Sequence, residues 1–149
     1  MINNLKKIIK DFSIFKNLSQ NLDNEYQRDD FVIKQLQNLN KDSLILDAGC
    51  GSQRYRKYCS HLKYYAQDFG LYTTDLKKMI GSGRGKEVYK YGKLDYVGDI
   101  WDINEKESTF DAILCTEVLE HIPHPIKTIE EFNRLLKKGG QLILTAPSN

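Results

Sequence analysis

Five short apolar runs, each bounded by turn residues, recur along this 149-residue chain and limit its fold more than any other feature. They are LILDA at 44–48, KYYAQD at 63–68, LDYVGD at 94–99, FDAILCT at 110–116 and QLILTAP at 141–147. Runs of this length and character predict buried strands. Because helical segments alternate with them, we predict a doubly wound α/β fold, in which a mostly parallel sheet lies between two helical layers.

Two segments have the apolar spacing of helices. The first covers residues 24–39, with Asn24 as its N-cap, and the second covers 124–140, where lysines and a Gly-Gly pair predict the end of the helix. A further apolar stripe predicts an amphipathic helix that packs on its own domain. Its members are Ile2, Leu5, Ile9 and Phe12. We therefore divide the chain into an N-terminal helical segment, 1–43, and a domain, 44–149.

Composition excludes several classes of protein. The net charge is only +2, so the chain as a whole does not favour nucleic acid or an anionic membrane as a partner. Its three cysteines lack the spacing of a zinc site or a disulfide framework, and no apolar stretch is long enough to span a bilayer. These features predict a soluble cytoplasmic protein without a metal site.

Acidic residues stand where three of the predicted strands end. Asp47, Asp68 and Asp99 occupy these positions, and Thr116 with Glu117 ends the fourth strand. Ligands of doubly wound sheets bind at the carboxyl ends of the strands. The turn after the first strand, Gly49-Cys50-Gly51, lets backbone approach such a ligand.

The chemistry of these positions limits the class of ligand that can bind. Arg54 stands where a dinucleotide-binding turn needs glycine or alanine, and Asp47 would repel a pyrophosphate, so an NAD-dependent oxidoreductase is disfavoured. A ligand with a cationic end and a group for backbone N–H suits the turn better. Asp68 is placed to accept hydrogen bonds from ribose hydroxyls, while Asp99 and Ile100 suit adenine. An amino acid joined to adenosine is S-adenosylmethionine.

Residues 44–149 resemble the class I S-adenosylmethionine-dependent methyltransferases with their Rossmann-like fold, in particular the type 11 methyltransferase domain. The resemblance rests on LDAGCG, the acid of YYAQDFG, GDI, FDAILCTEVLEHIPHP and LLKKGGQLILTAPS, which occur in the family's order. It implies that Asp47, Gly49 and Gly51 hold the methionine moiety, that Asp68 binds the ribose, and that the backbone near Thr116 faces the amino group. The expected cofactor-binding set is Asp47, Gly49, Cys50, Gly51, Asp68, Phe69, Asp99, Ile100 and Thr116.

Methyl transfer to a hydroxyl needs a base, and His121 is the candidate. A short helix in TEVLEHIPHP would place Glu117 and His121 on one face, where Glu117 would orient the imidazole. A structural or cofactor-side role for His121 is the competing interpretation. The acceptor is expected to be a small molecule, with a lean by analogy towards sugars.

Residues 69–93 carry six basic and two acidic residues and five glycines, which predicts a flexible basic loop. Such a loop suits an acidic acceptor, with single-stranded nucleic acid as a minor alternative.

Family members usually continue beyond the fifth strand. We therefore expect either a fragment of a longer enzyme or a homodimer that covers the edge of that strand. A non-catalytic S-adenosylmethionine-binding module, or an enzyme half that needs a partner, is the second functional hypothesis.

Overall fold

A computed structural model gives the fold and describes residues 25–70 and 92–146. Its elements in chain order are α1 (Glu25–Gln37), β1 (Leu44–Ala48), β2 (Lys63–Asp68), β3 (Tyr96–Val97), β4 (Phe110–Thr116), α2 (Pro125–Leu135) and β5 (Leu136–Thr145). Short 3₁₀ turns cover Arg56–Tyr58 and Leu119–His121. The predicted N-terminal stripe, Asn24 and most of the basic loop lie outside the described residues. Neither described helix has the length and apolar character that crossing a membrane requires.

The five strands form one parallel sheet in the order β3-β2-β1-β4-β5. β1 lies in the middle and pairs with β2 on one side and β4 on the other. Strand order therefore reverses at β1, and the carboxyl ends of β1 and β4 flank the crevice where ligands of such sheets bind. The predicted α/β class is confirmed.

Helices cover both faces of this sheet. On one face α2 buries Phe132 and Leu135 against Leu46, Ile113 and other core residues. On the opposite face α1 buries Val32 and Leu36 in a second cluster. The sequence positions of the buried side chains explain these contacts, since alternate residues of β1 and β4 point to opposite faces. The three-layer arrangement is as predicted.

Two predicted elements differ from the structure. The third strand was expected over 94–99, but only Tyr96–Val97 pairs with β2. The second helix was expected to run to the Gly-Gly pair, but it ends at Leu135, and β5 begins at the next residue. Phe110 pairs with Leu136 and Ala112 with Gln141, so residues 137–140 bulge out of the ladder. Gly139 permits the bulge with a φ of +79°.

Candidate functional site

A cleft of about 880 Å³ opens at the carboxyl ends of the strands. Its volume is in the range of about 300–1,000 Å³ that small-molecule sites occupy. All ten residues that sequence reasoning selected line this cleft. They are Asp47, Gly49, Cys50, Gly51, Asp68, Phe69, Asp99, Ile100, Thr116 and His121. The fold thus brings together residues from four separate strand ends.

The glycine turn after β1 is fixed by β2. The N–H groups of Gly49 and Cys50 both donate to the carbonyl oxygen of Gln67, each at 2.9 Å. The Gly51 N–H donates to Asp68 Oδ2, also at 2.9 Å. All three N–H groups, which we expected to hold the ligand, therefore donate within the protein. Gly49 has a φ of +70°, and a Cβ there would lie 2.7 Å from a methyl group of Val118, so glycine at this position lets Val118 pack against the turn.

Asp47 is a buried carboxyl group at the base of the cleft, with 3% of its surface exposed. Burial, as the main cause, raises the pKa of Asp47 to about 7, and the neighbouring charge of Asp68 acts in the same direction. The hydroxyl of Tyr64 donates to Asp47 Oδ2 and opposes this shift. The carboxyl group of Asp47 therefore titrates near neutral pH.

Cys50, the middle residue of the turn, is also buried, and burial raises the pKa of its thiol. The described cysteines are all free, and the thiol of Cys50 is protonated at neutral pH. Cys50 therefore contributes a small apolar surface to the cleft, with no nucleophile or metal ligand. Within residues 25–70 and 92–146, no three His, Cys, Asp or Glu side chains converge as a metal site.

Asp68 and the segment after β3 form the other half of the cleft. Asp68 is 9% exposed and also accepts a long hydrogen bond of 3.3 Å from the Gly70 N–H. Across from it lie Asp99, the buried Ile100 and the half-buried Trp101. This half therefore combines carboxylates with an apolar wall, as a nucleoside requires.

The predicted pairing of Glu117 with His121 is wrong. Glu117 has a φ of +54°, so the chain turns sharply there, and only a single 3₁₀ turn, Leu119–His121, follows it. Glu117 instead accepts a hydrogen bond of 2.9 Å from the Thr145 hydroxyl and pairs with Arg28 at 3.3 Å. His121 is 78% exposed, and its Nε2 lies 3.7 Å from Glu120. It lines the cleft at the rim, where the Glu117 carboxylate does not orient it.

The sequence did not assign several polar residues of the cleft to the site, among them Arg28, Arg54 and Gln67. Arg28, from α1, contacts Asp29 at 4.0 Å in addition to Glu117, and Arg54 pairs with the same Asp29. These guanidinium groups bring positive charge to a rim that is otherwise acidic. Arg28 stands on the polar face of a helix, where its sequence position alone resembles any solvent-exposed arginine.

Fold and cleft together define a class I S-adenosylmethionine-dependent methyltransferase domain. The sequence pattern of the family called "Methyltransferase domain" matches residues 46–144. The chain belongs to this family, and S-adenosylmethionine is the cofactor of the class.

The chain is also similar to individual proteins and solved structures. The chain is 28% identical over 137 residues, 91% of its length, to an uncharacterized protein of Methanocaldococcus jannaschii. It is 32% identical over 101 residues, 68% of its length, to a ubiquinone biosynthesis O-methyltransferase of Xanthomonas oryzae pv. oryzae. A solved S-adenosylmethionine-dependent methyltransferase of Methanosarcina mazei superimposes with a TM-score of 0.55, at 25% identity, over 76% of the chain. The chain spans 55%, 41% and 55% of these three proteins.

The residues present fit this cofactor. Its sulfonium and ammonium groups are cations, and the cleft holds the carboxyl groups of Asp47 and Asp68. Its adenine is flat and apolar on both faces, and Ile100 and Trp101 supply an apolar wall. The missing side chain at Gly49 leaves room for Val118, which lines the cleft.

Proposed function

We propose that this chain transfers a methyl group from S-adenosylmethionine to a small-molecule acceptor. The observation that carries the proposal is the convergence of all ten selected residues on one cleft at the carboxyl ends of the strands. Membership of the methyltransferase domain family supports the reaction class.

Each half of the cleft has its own binding role in this proposal. Asp47 and the backbone of Thr116 attract the ammonium group, and Arg28 pairs with the carboxylate of the methionine moiety. Asp68 accepts hydrogen bonds from the ribose hydroxyls. Asp99 accepts from the exocyclic amine of adenine, while Ile100 packs on the ring and Phe69 covers the ribose side. Cys50 and the flanking glycines leave room for the chain of the amino acid.

The chemistry needs little from the protein beyond position. The cofactor supplies a methyl group on a positively charged sulfur, which is already activated for displacement. The residues of the cleft hold the reactants in line and exclude water, which strengthens the electrostatic contacts. For a hydroxyl acceptor, Nε2 of His121 at the rim takes the proton that the acceptor loses.

The acceptor is a small molecule or a sugar-linked one in this proposal. The name of the Xanthomonas relative, a ubiquinone biosynthesis O-methyltransferase, favours an oxygen as the acceptor atom. The chain covers 41% of that relative, so the acceptor pocket of the relative is not carried over residue by residue.

A second function follows from that same coverage. A chain that spans about half of its relatives also fits a partner-dependent enzyme half, or a module that binds S-adenosylmethionine without catalysis. In this alternative the cofactor cleft is complete, and acceptor residues come from elsewhere, for instance from a second copy paired along β5.

Calorimetric titration with S-adenosylmethionine, S-adenosylhomocysteine and NAD tests the cofactor assignment. We expect the first two to bind with one site per chain and NAD to show no heat of binding. Methylation of a panel of hydroxyl-bearing small molecules then separates the two functions. A folded chain that binds NAD in preference to S-adenosylhomocysteine contradicts the proposal.

A further inference from the structure

Gln67 is a buried amide between the two halves of the cleft. It is the fifth residue of β2, and only 2% of its surface is exposed. Its Oε1 accepts a hydrogen bond of 3.1 Å from the Gly49 N–H, in the turn after β1. Its Nε2 donates a hydrogen bond of 2.8 Å to the carbonyl oxygen of Gly98, in the segment after β3. One side chain therefore connects the backbones of two non-adjacent strand ends.

Packing alone does not explain an amide at this position. A buried amide without partners destabilises a protein, whereas an apolar residue of the same length fills the space without that penalty. Gln67 lies on the wall between the main cleft and a neighbouring cavity of about 340 Å³. Both ends of its amide are used, and both are used on backbone that leads into the cleft.

The backbone that Gln67 joins is conformationally permissive. Gly49 has a φ of +70° and Gly98 a φ of +139°, in regions that glycine reaches without strain. Backbone hydrogen bonds already connect each glycine to β2, since the Gly49 N–H also donates to the Gln67 carbonyl oxygen at 2.9 Å and the Gly98 N–H donates to the Asp68 carbonyl oxygen at 3.2 Å. The Gln67 amide is the group that contacts both glycine segments at once. The Gln67 amide supplies a fixed connection, with the length of a single side chain.

We propose that Gln67 is a positioning residue that sets the separation between the amino-acid end and the adenine end of the cleft. The inference rests on the proposed function, since it assumes that one ligand occupies both halves. A ligand that spans both ends benefits from a fixed separation, because the protein then loses less freedom on binding. For a ligand that occupies one end alone, the fixed separation changes the affinity little.

The test compares two ligands that differ only at one end. S-Adenosylhomocysteine reaches both halves, whereas 5′-methylthioadenosine lacks the amino-acid moiety. For Gln67→Met, which keeps the length and removes both hydrogen bonds, we expect affinity for S-adenosylhomocysteine to fall about tenfold, as loss of one net interaction gives. Affinity for 5′-methylthioadenosine should change less than about threefold. The matched control is Gln141→Met, since Gln141 bonds to Gln35 at 2.9 Å and does not line the cleft.

Gln67→Glu gives a second readout that a merely structural role does not move. A protonated carboxyl group reproduces both contacts, because its O–H donates to Gly98 and its C=O accepts from Gly49. An ionised one repels the Gly98 carbonyl. Burial and the nearby Asp68, Asp95 and Asp99 favour the neutral form. We therefore expect the ratio of wild-type to variant affinity for S-adenosylhomocysteine to decrease as the pH falls from 8 to 6. Asp47 is present in both proteins, so its titration affects both affinities.

The outcomes are distinct. An equal loss for both ligands in Gln67→Met, or no loss for either, overturns the positioning role. If Gln67→Met does not fold, a ratio for Gln67→Glu that stays constant with pH overturns it. A folded wild-type chain that binds neither ligand overturns the proposed function, and the positioning role with it.

Discussion

Asp68 and His121 are expected to separate binding from chemistry. Asp68→Asn should weaken S-adenosylmethionine binding by about 1–3 kcal/mol, because the charged acceptor for the ribose hydroxyls is lost. His121→Ala should leave binding unchanged, since the imidazole is 78% exposed at the rim. Turnover of a hydroxyl acceptor should fall by about 10²–10⁴ in His121→Ala. Trp101, the single tryptophan of the chain, lines the cleft and reports binding by its fluorescence.

The reverse order of effects would contradict these roles. If His121→Ala abolished binding while Asp68→Asn did not, the acid that ends β2 would not be the ribose ligand. An unchanged turnover in His121→Ala would leave His121 without a catalytic role, as the competing structural interpretation holds.

Asp47 predicts an unusual pH dependence of stability. Its pKa is about 7 in the folded chain, above the ordinary value of an aspartate, so the folded state keeps a proton that the unfolded state releases. Stability from this group is therefore full below about pH 4, falls as the pH rises towards 7, and is absent above it. The difference between the pKa of Asp47 in the folded chain and its ordinary value corresponds to a free energy on the order of 4 kcal/mol.

Asp47→Asn isolates this contribution. Asparagine keeps an acceptor for the Tyr64 hydroxyl but does not ionise. We expect the free energy of unfolding of the variant to exceed that of wild type at pH 8 and the difference to vanish near pH 4. Urea unfolding at both pH values measures it. A pH-independent difference would mean that the pKa of Asp47 is the same in the folded and unfolded states.

The acids and glycines of the cleft were predictable from the sequence because each lies at the end of a strand. The carboxyl ends of parallel strands meet at one edge of the sheet, so their place in the fold follows from their place in the sequence. Gln67 was not, since a polar residue near the end of KYYAQD reads equally well as a solvent-facing one. Only the register of β2 with its neighbours shows that its amide reaches two glycines. The pairing of Glu117 with Thr145 depends in the same way on a turn with positive φ that no periodicity reveals.

Helix α1 is expected to contribute to stability through one face only. Leu36 is fully buried against the sheet, whereas Lys34 is exposed and pairs with Asp30 at 2.7 Å. Leu36→Ala should lower the free energy of unfolding by about 2–5 kcal/mol, because it leaves a cavity. Lys34→Ala, the control on the same helix, should change it by less than about 1 kcal/mol. Equal effects, measured by urea unfolding, would place α1 away from the core.

Short runs bounded by turn residues predicted β1, β2 and β4 with the bounds that the structure gives. The boundary between α2 and β5 was not predictable in this way. Lysines followed by two glycines normally end a helix, yet here Lys137 pairs with Asp111 at 2.8 Å and Gly139 forms a bulge inside the strand. The helix therefore stops where Leu136 pairs with Phe110 of β4, a long-range contact that local propensity does not contain.

Association of two chains is expected at one edge of the sheet. Within residues 25–70 and 92–146 the sheet has two edge strands, β3 with two residues and β5 with ten. Leu142, Ile143 and Leu144 of β5 are buried. Since these side chains already point into the core layers, β5 offers a partner its backbone groups, as strand addition requires. We therefore predict that the described sheet continues into a second copy through β5, and that the shorter β3 stays an edge.

Thermal unfolding at different chain concentrations tests this prediction together with ligand binding. A dimer unfolds at a temperature that rises with protein concentration, whereas a monomer does not. S-Adenosylhomocysteine at about 100 times its dissociation constant should add about 2.7 kcal/mol in either case, because it binds the folded state alone. A midpoint that is independent of concentration but raised by the ligand would retain the cofactor cleft and reject the pairing through β5. A concentration-dependent midpoint without a ligand effect would support the pairing through β5 and reject the cofactor cleft. One set of melts therefore tests the assembly of the sheet separately from the function of its cleft.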